Sequence, residues 1–174
     1  MSCISVNNQE LHFFISPYIK ENMYFFIKDD KALVIDPNGS EEALMLLKQY
    51  KIQEITVFLT HEHPDHTCGV PVLQKNFKTE LICQQACAEK IAYKRNNRPL
   101  MIAFVLAVQD EKNGTHTEQE FIRSFEEYEC YADITFERNF SCDWQNEHFV
   151  FHHTPGHSQG SCCIVWNDKA VFTG

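Results

Sequence analysis

Thr60-His61-Glu62-His63-Pro64-Asp65-His66 decides the reading of this chain, because it places three imidazoles and an aspartate within six residues. The residues before it, Ile55-Thr56-Val57-Phe58-Leu59, are β-branched, aromatic or apolar, and so short a run reads as a buried strand. The ligand-type side chains then fall on a loop at that strand's carboxyl end. Pro64 fixes its own φ and lacks an N–H, so residues 61–66 cannot be the interior of one regular helix, and the spacing differs from that of the helical His-Glu-x-x-His motif. A loop lets His61 and His63 point to one ion while Asp65 and His66 turn toward a neighbouring position. Imidazole nitrogen and carboxylate oxygen suit zinc, iron or manganese.

A second piece, Thr154-Pro155-Gly156-His157-Ser158-Gln159-Gly160-Ser161, lies far downstream between two strand-like segments, Phe149 to His153 and Cys162 to Trp166. Gly156 and Gly160 free the backbone to come close to an ion, and His157 offers one more imidazole on a tight turn.

Together the two pieces resemble the metallo-β-lactamase superfamily, in which a His-x-His-x-Asp-His loop after a strand is followed by a Thr-Pro-Gly-His-Ser/Thr turn. Val34-Ile35-Asp36-Pro37-Asn38-Gly39 and Val171-Phe172-Thr173-Gly174 look like further family segments. The resemblance implies an α/β (α+β) fold, a four-layer αββα sandwich with an inserted helical segment. It also implies that His61, His63 and His157 hold a first metal, and that Asp65 with His66 contributes to a second. Zinc, two ions in the complete protein, is the implied cofactor, with iron or manganese as alternatives. Family members carry an Asp directly after the Thr-Gly pair and a further His later, whereas this sequence stops at Gly174. The expectation is therefore a single domain over residues 1–174 whose carboxyl-terminal portion is missing.

Composition agrees with one soluble domain: 174 residues, 44% hydrophobic, without an evident repeat or low-complexity tract. A net charge of −9 argues against a nucleic-acid surface, which needs clustered Lys and Arg. Residues 1–10 show no basic segment followed by an apolar core, and the longest apolar run, Leu100 to Val108, is too short to span a bilayer. With eight cysteines and no leader, the chain reads as cytoplasmic with reduced thiols. Cys83, Cys87, Cys162 and Cys163 read as packing residues. Cys68, two residues past His66, reads either as a small buried hydrophobe or as a redox-sensitive neighbour of the site.

Strands are expected at Leu11 to Ser16, Met23 to Lys28 and Ala32 to Asp36. A helix capped by Ser40 follows, with Ala43, Leu44, Leu47 and Tyr50 as its apolar stripe. Beyond the metal loop come a helix at Val72 to Phe77, a strand at Glu80 to Cys83 and a helix at Ala86 to Tyr93. Ninety residues separate His66 from His157, so residues 96–142 read as an insertion. Within it, Thr117 to Glu120 can form a capping box, placing Phe121, Phe125 and Tyr128 on one helical face as a substrate lid, a homodimer surface or plain core packing. His12, His116 and His148 read as structural or solvated, and His153 as a neighbour of the site.

Imidazoles around a divalent cation bring bound water to a pKa of about 7, so hydroxide is available at neutral pH. The expected activity is a metal-dependent hydrolase in which Asp65 is catalytic, holding that hydroxide for attack on a carbonyl derivative: a thioester, as in glyoxalase II-like relatives, a lactone or an amide. The alternatives are an iron-dependent persulfide dioxygenase-like oxidoreductase and a non-catalytic metal-binding module. The partner is a small-molecule substrate, with no nucleic acid and no membrane.

Overall fold

The computed structural model describes residues 2–6, 9–16, 20–98 and 100–174. The amino-terminal stretch searched for a leader therefore lies partly outside the described residues. Four strands, β1 (Ser2–Val6), β2 (Gln9–Ile15), β3 (Asn22–Lys28) and β4 (Lys31–Ile35), form an antiparallel meander. Left-handed Asp29 makes the tight β3–β4 turn. Helix α1 (Glu41–Gln49) then crosses back, so that β5 (Glu54–Phe58) pairs parallel to β4. The short α2 (Pro64–Thr67) and α3 (Val70–Asn76) lead to β6 (Lys78–Gln84), parallel to β5.

Helix α4 (Gln85–Ile91) opens the longest excursion, which continues through α5 (Leu100–Asn113) and α6 (Thr117–Ser124). The chain then returns as β7 (Ile134–Phe136), the last strand of a seven-stranded sheet. β8 (Asn139–Trp144), β9 (Glu147–His153), β10 (Cys162–Trp166) and β11 (Ala170–Phe172) make a second, antiparallel sheet. The mixed α/β sandwich is thus the one expected. Residues 96–142 hold the α5–α6 pair and also β7 and part of β8, which belong to the two sheets. Among the described residues, no helix is long and apolar enough to cross a membrane.

Two cores hold the layers together. Phe26, Phe58, Phe149, Phe151 and Trp166 interlock between the sheets, with edge-on contacts such as Phe58–Phe151 at 4.8 Å and Phe26–Trp166 at 4.7 Å. The helical side is closed by Val34, Leu47, Val57, Leu59, Leu73 and Cys87. Ser40 caps α1 as expected, its Oγ accepting from the Ala43 N–H at 3.3 Å. The α1 stripe differs from expectation: the helix ends at Gln49, leaving Tyr50 exposed, and Leu46 packs against the core instead.

The capping box is not formed. His116 is the N-cap of α6, and the Asp110 carboxylate at the end of α5 accepts from the Glu118 N–H at 2.8 Å and from the Thr115 hydroxyl. Those donors hold the Asp110 carboxyl down at about 2. α6 also stops at Ser124, so Phe125 and Tyr128 follow it on an extended segment rather than sharing its face. Their rings still run in series, 5.5 Å from Phe121 to Phe125 and 6.0 Å from Phe125 to Tyr128.

The turn after β4 packs directly on the start of α3. A Cβ at Gly69 would lie 2.6 Å from the Gly39 nitrogen and 2.7 Å from the Pro37 carbonyl oxygen, both backbone atoms that cannot swing aside. Gly69→Ala is expected to cost about 1–3 kcal/mol as overpacking. Urea unfolding checks this, and an unchanged midpoint would mean that the two backbones are not locked together.

Candidate metal centre

β5 and the β9–β10 turn belong to different sheets, and the aromatic core between those sheets brings their ends to the same edge. The Cys162 N–H donates to the Thr60 carbonyl at 2.8 Å, stitching the start of β10 to the loop after β5. Ser158 Oγ donates to Glu62 Oε2 at 2.8 Å, and Thr154 N–H to the Ser161 carbonyl at 2.9 Å. Gly160 is required by close approach, since a Cβ there would sit 2.5 Å from both Cys87 N and Glu62 Oε2.

The result brings His61, His63 and His157 together, one ligand atom from each lying within 4.8 Å of the others. His63 Nδ1 and His157 Nε2 are 3.0 Å apart. Two nitrogens at zinc–nitrogen bond length and a tetrahedral angle lie about 3.4 Å apart, so the pair fits one cation with little adjustment. Burial and the neighbouring His157 hold the His63 pKa below its ordinary value.

The hydrogen bonds fix the tautomer of His61. Asp36, buried and acceptor-only, takes the Thr60 hydroxyl proton at Oδ2 (2.6 Å) and the Thr60 N–H at Oδ1 (2.8 Å). Thr60 Oγ1 has no second proton, so it accepts from His61 Nδ1 at 3.1 Å. His61 Nε2 is left as a bare lone pair, buried, with no hydrogen-bond partner among the described residues. Burial, and then the charge on His66, keep this imidazole neutral with a pKa of about 4. A neutral imidazole oriented through its far nitrogen and aimed at two others is the donor set a divalent cation takes. The residues therefore fit the metal implied by the sequence.

Asp65 and His66 lie beside this trio, not within it. Pro64 is the first residue of α2, where its missing N–H costs nothing, so Asp65 and His66 sit on a single helical turn. The His66 ring is 4.2 Å from that of His61. Its Nδ1 donates to Asp36 Oδ2 at 3.0 Å, and its Nε2 lies 3.4 Å from Asp65 Oδ2. Burial alone would lower the His66 pKa, but the two carboxylates outweigh it and raise it to about 10. Burial likewise opposes ionisation of Asp65, and His66 reverses this, leaving its pKa below the ordinary carboxylate value. Positive charge is favoured here, and a cation at Nε2 would displace the proton that His66 carries.

Three contributors to the site were not singled out in the sequence. In the sequence Asp36 stands out only as part of the Val34–Gly39 segment, Glu62 only as a residue between histidines, and Tyr128 only as part of an aromatic face. Tyr128 hydroxyl is 2.5 Å from Thr67 Oγ1 on α2, while Asn97 Nδ2 donates to the Tyr128 carbonyl at 2.8 Å. His153 does serve the site from behind, its Nε2 donating to the Gln159 carbonyl at 2.8 Å within the His157 turn. His12 is buried, stacked 5.0 Å from Phe25, and His148 pairs with Asp143. Burial pushes the Cys68 thiol up to about 12, which favours the packing reading over a reactive thiolate.

A family model of the metallo-beta-lactamase superfamily matches residues 19–174. A hydroxyacylglutathione hydrolase of Albidiferax ferrireducens is 39% identical over 59 residues, covering 33% of this chain and 23% of that protein. A probable metallo-hydrolase of Streptococcus pyogenes is 24% identical over 156 residues, 88% of this chain and 60% of that one. The chain thus aligns with less than two thirds of the length of either relative. In fold, it superposes on the crystal structure of the BLEG-1 B3 metallo-beta-lactamase with a TM-score of 0.67 at 22% identity, over 94% of this chain and 71% of that one. An archaeal superfamily protein from Sulfolobus tokodaii gives a TM-score of 0.61 at 18% identity, over 94% and 62%.

The Asp36–His66 pair carries a pH signature in the metal-free protein. Because the folded His66 pKa is raised above 6.5, its stabilisation is fully present below pH 6.5 and is lost as pH rises toward 10. Asp36→Asn is expected to cost about 3–5 kcal/mol at pH 6, as for any buried pair deprived of one partner. Unfolding series between pH 6 and 10 should show a smaller slope in the variant, and parallel slopes would contradict the pairing.

Proposed function

The chain belongs to the metallo-beta-lactamase superfamily, and from that premise we propose that it is a metal-dependent hydrolase acting on a carbonyl derivative: a thioester, a lactone or an amide. The observation that carries this reading is the bare, buried Nε2 of His61 facing His63 and His157. In the proposal these three imidazoles hold a divalent cation, zinc in the first instance, and Asp65 with His66 flanks a second cation position. When bound, the cation supplies Lewis-acid polarisation of the substrate oxygen and acidifies water to a pKa of about 7.

The protein's own groups set up the rest. Asp65, kept ionised by His66, accepts a hydrogen bond from the attacking water and orients its lone pair toward the carbonyl carbon. As the water oxygen bonds to that carbon, the carbon–sulfur, carbon–oxygen or carbon–nitrogen bond breaks, and the proton taken at the Asp65 carboxylate passes to the leaving group. Asp36 does not touch the substrate. It holds Thr60, and through Thr60 His61, in the orientation that leaves Nε2 unprotonated. Support for a thioester comes from the hydroxyacylglutathione hydrolase relatives, whose matches cover 33–46% of this chain.

His63→Ala tests the assignment. The variant is expected to lose most bound metal by elemental analysis and to lose turnover of thioester and lactone panels by at least a hundredfold, with an unchanged far-UV spectrum. Full turnover in the variant would refute the assigned site, and bound iron with oxygen uptake in the parent protein would move the reading to an oxidoreductase.

A further inference from the structure

A cleft of about 690 Å³ opens beside Asp65, within the size range of small-molecule sites. Its apolar walls come from four elements: Phe14 and Ile15 of β2, Val72 of α3, Ile102 of α5, and Phe121 with the adjoining Phe125. The cleft is continuous with the candidate centre at two points. Asp65 lines it directly, and Tyr128 lines it while hydrogen-bonding Thr67 on the same short helix as Asp65 and His66. Its charge is one-sided: Glu41, Glu126 and Glu127 line it with Asp65, and no Lys or Arg is among its described lining residues. Arg98, 3.2 Å from Glu127, answers one of these carboxylates from outside that lining. Glu21 and Asn38, also from the lining, hydrogen-bond each other, and burial pushes the Glu21 carboxyl up to about 7.

We infer that this cleft receives the non-reacting arm of the substrate, an arm that is apolar and carries no negative charge. The inference rests on the hydrolase reading and narrows it. Each methylene buried against such walls tightens binding about fourfold. An anionic arm would instead bring like charge into a confined space already walled by Glu41, Glu126 and Glu127. A lactone, an amide or a thioester of an uncharged carrier therefore fits, and a thioester of an anionic carrier does not. Ile102, Phe121, Phe125, Glu126 and Glu127 all belong to the helical excursion between β6 and β7, so that excursion supplies much of this selectivity.

NMR titration of the zinc-loaded full chain and of the His63→Ala variant tests the cleft independently of catalysis. The probes are octanamide, octyltrimethylammonium, octanoate and butanamide, with the charge comparison read in His63→Ala, where zinc cannot capture the carboxylate. Saturable binding of octanamide and octyltrimethylammonium is expected in both proteins, with octanoate and butanamide at least tenfold weaker in the variant. Ile15→Ser and Val72→Ser, at partly exposed positions that should not disturb folding, are each expected to weaken octanamide binding about threefold or more. Absence of saturable binding, equal affinity for octanoate, or affinities unmoved by both serine substitutions would overturn the inference. Octyl binding with no hydrolysis of any panel substrate would uphold the cleft as a binding site and refute the hydrolase reading, whereas hydrolysis without octyl binding would refute the cleft alone.

Discussion

The structure depends on one buried carboxylate. Asp36, in left-handed backbone conformation at the end of β4, accepts from Thr60 N–H, from Thr60 Oγ1 and from His66 Nδ1. A buried charge is costly unless its acceptor positions are filled, and here each donor belongs to the metal loop. The carboxylate therefore has no low-energy arrangement except the one that folds that loop over it. Thr60 relays the constraint to His61, and His66 passes it on to Asp65. The Asp36–Gly39 turn is itself pinned by the Gly69 N–H, which donates to the Pro37 carbonyl at 2.8 Å, so the hub is held from both sides.

The second constraint is supplied by the aromatic layer between the sheets. It carries no chemistry, yet without Phe58 on Phe149 and Phe151 the His157 turn would have no fixed position relative to His61 and His63. Glu62, Ser158 and Gly160 then refine the docking at the edge, where hydrogen bonds and close backbone approach set distances that a greasy interface cannot. Coarse placement by nonpolar packing and fine placement by polar contacts act in series on the same three imidazoles.

Much of this was legible in the sequence because it is local. The strand before the metal loop, the alternating β9 and β10, the Ser40 cap and the spacing of the histidines all act over a few residues. What escaped was long-range or tertiary. Asp36 works across 24 residues to Thr60 and 30 to His66, a pairing that no local pattern encodes. Thr117 to Glu120 matches a capping pattern, but the helix is capped one residue earlier, at His116: the Glu120 N–H bonds to the His116 carbonyl, and Asp110 takes the Glu118 N–H. Tyr128 fits the helical period begun by Phe121, yet α6 ends at Ser124, before it. Tyr50 matched the apolar period of α1 but fell one position beyond the last helical residue.

The short contact between the Tyr128 hydroxyl and Thr67 Oγ1 gives the molecule a property that neither element has alone. One end of it belongs to a wall of the cleft, the other to the turn bearing Asp65 and His66. If a cation at that turn and a ligand in the cleft favoured different placements of this contact, their binding would be linked, and such linkage is reciprocal: whatever factor a cation contributed to the affinity for a cleft ligand, that ligand would contribute to the affinity for the cation.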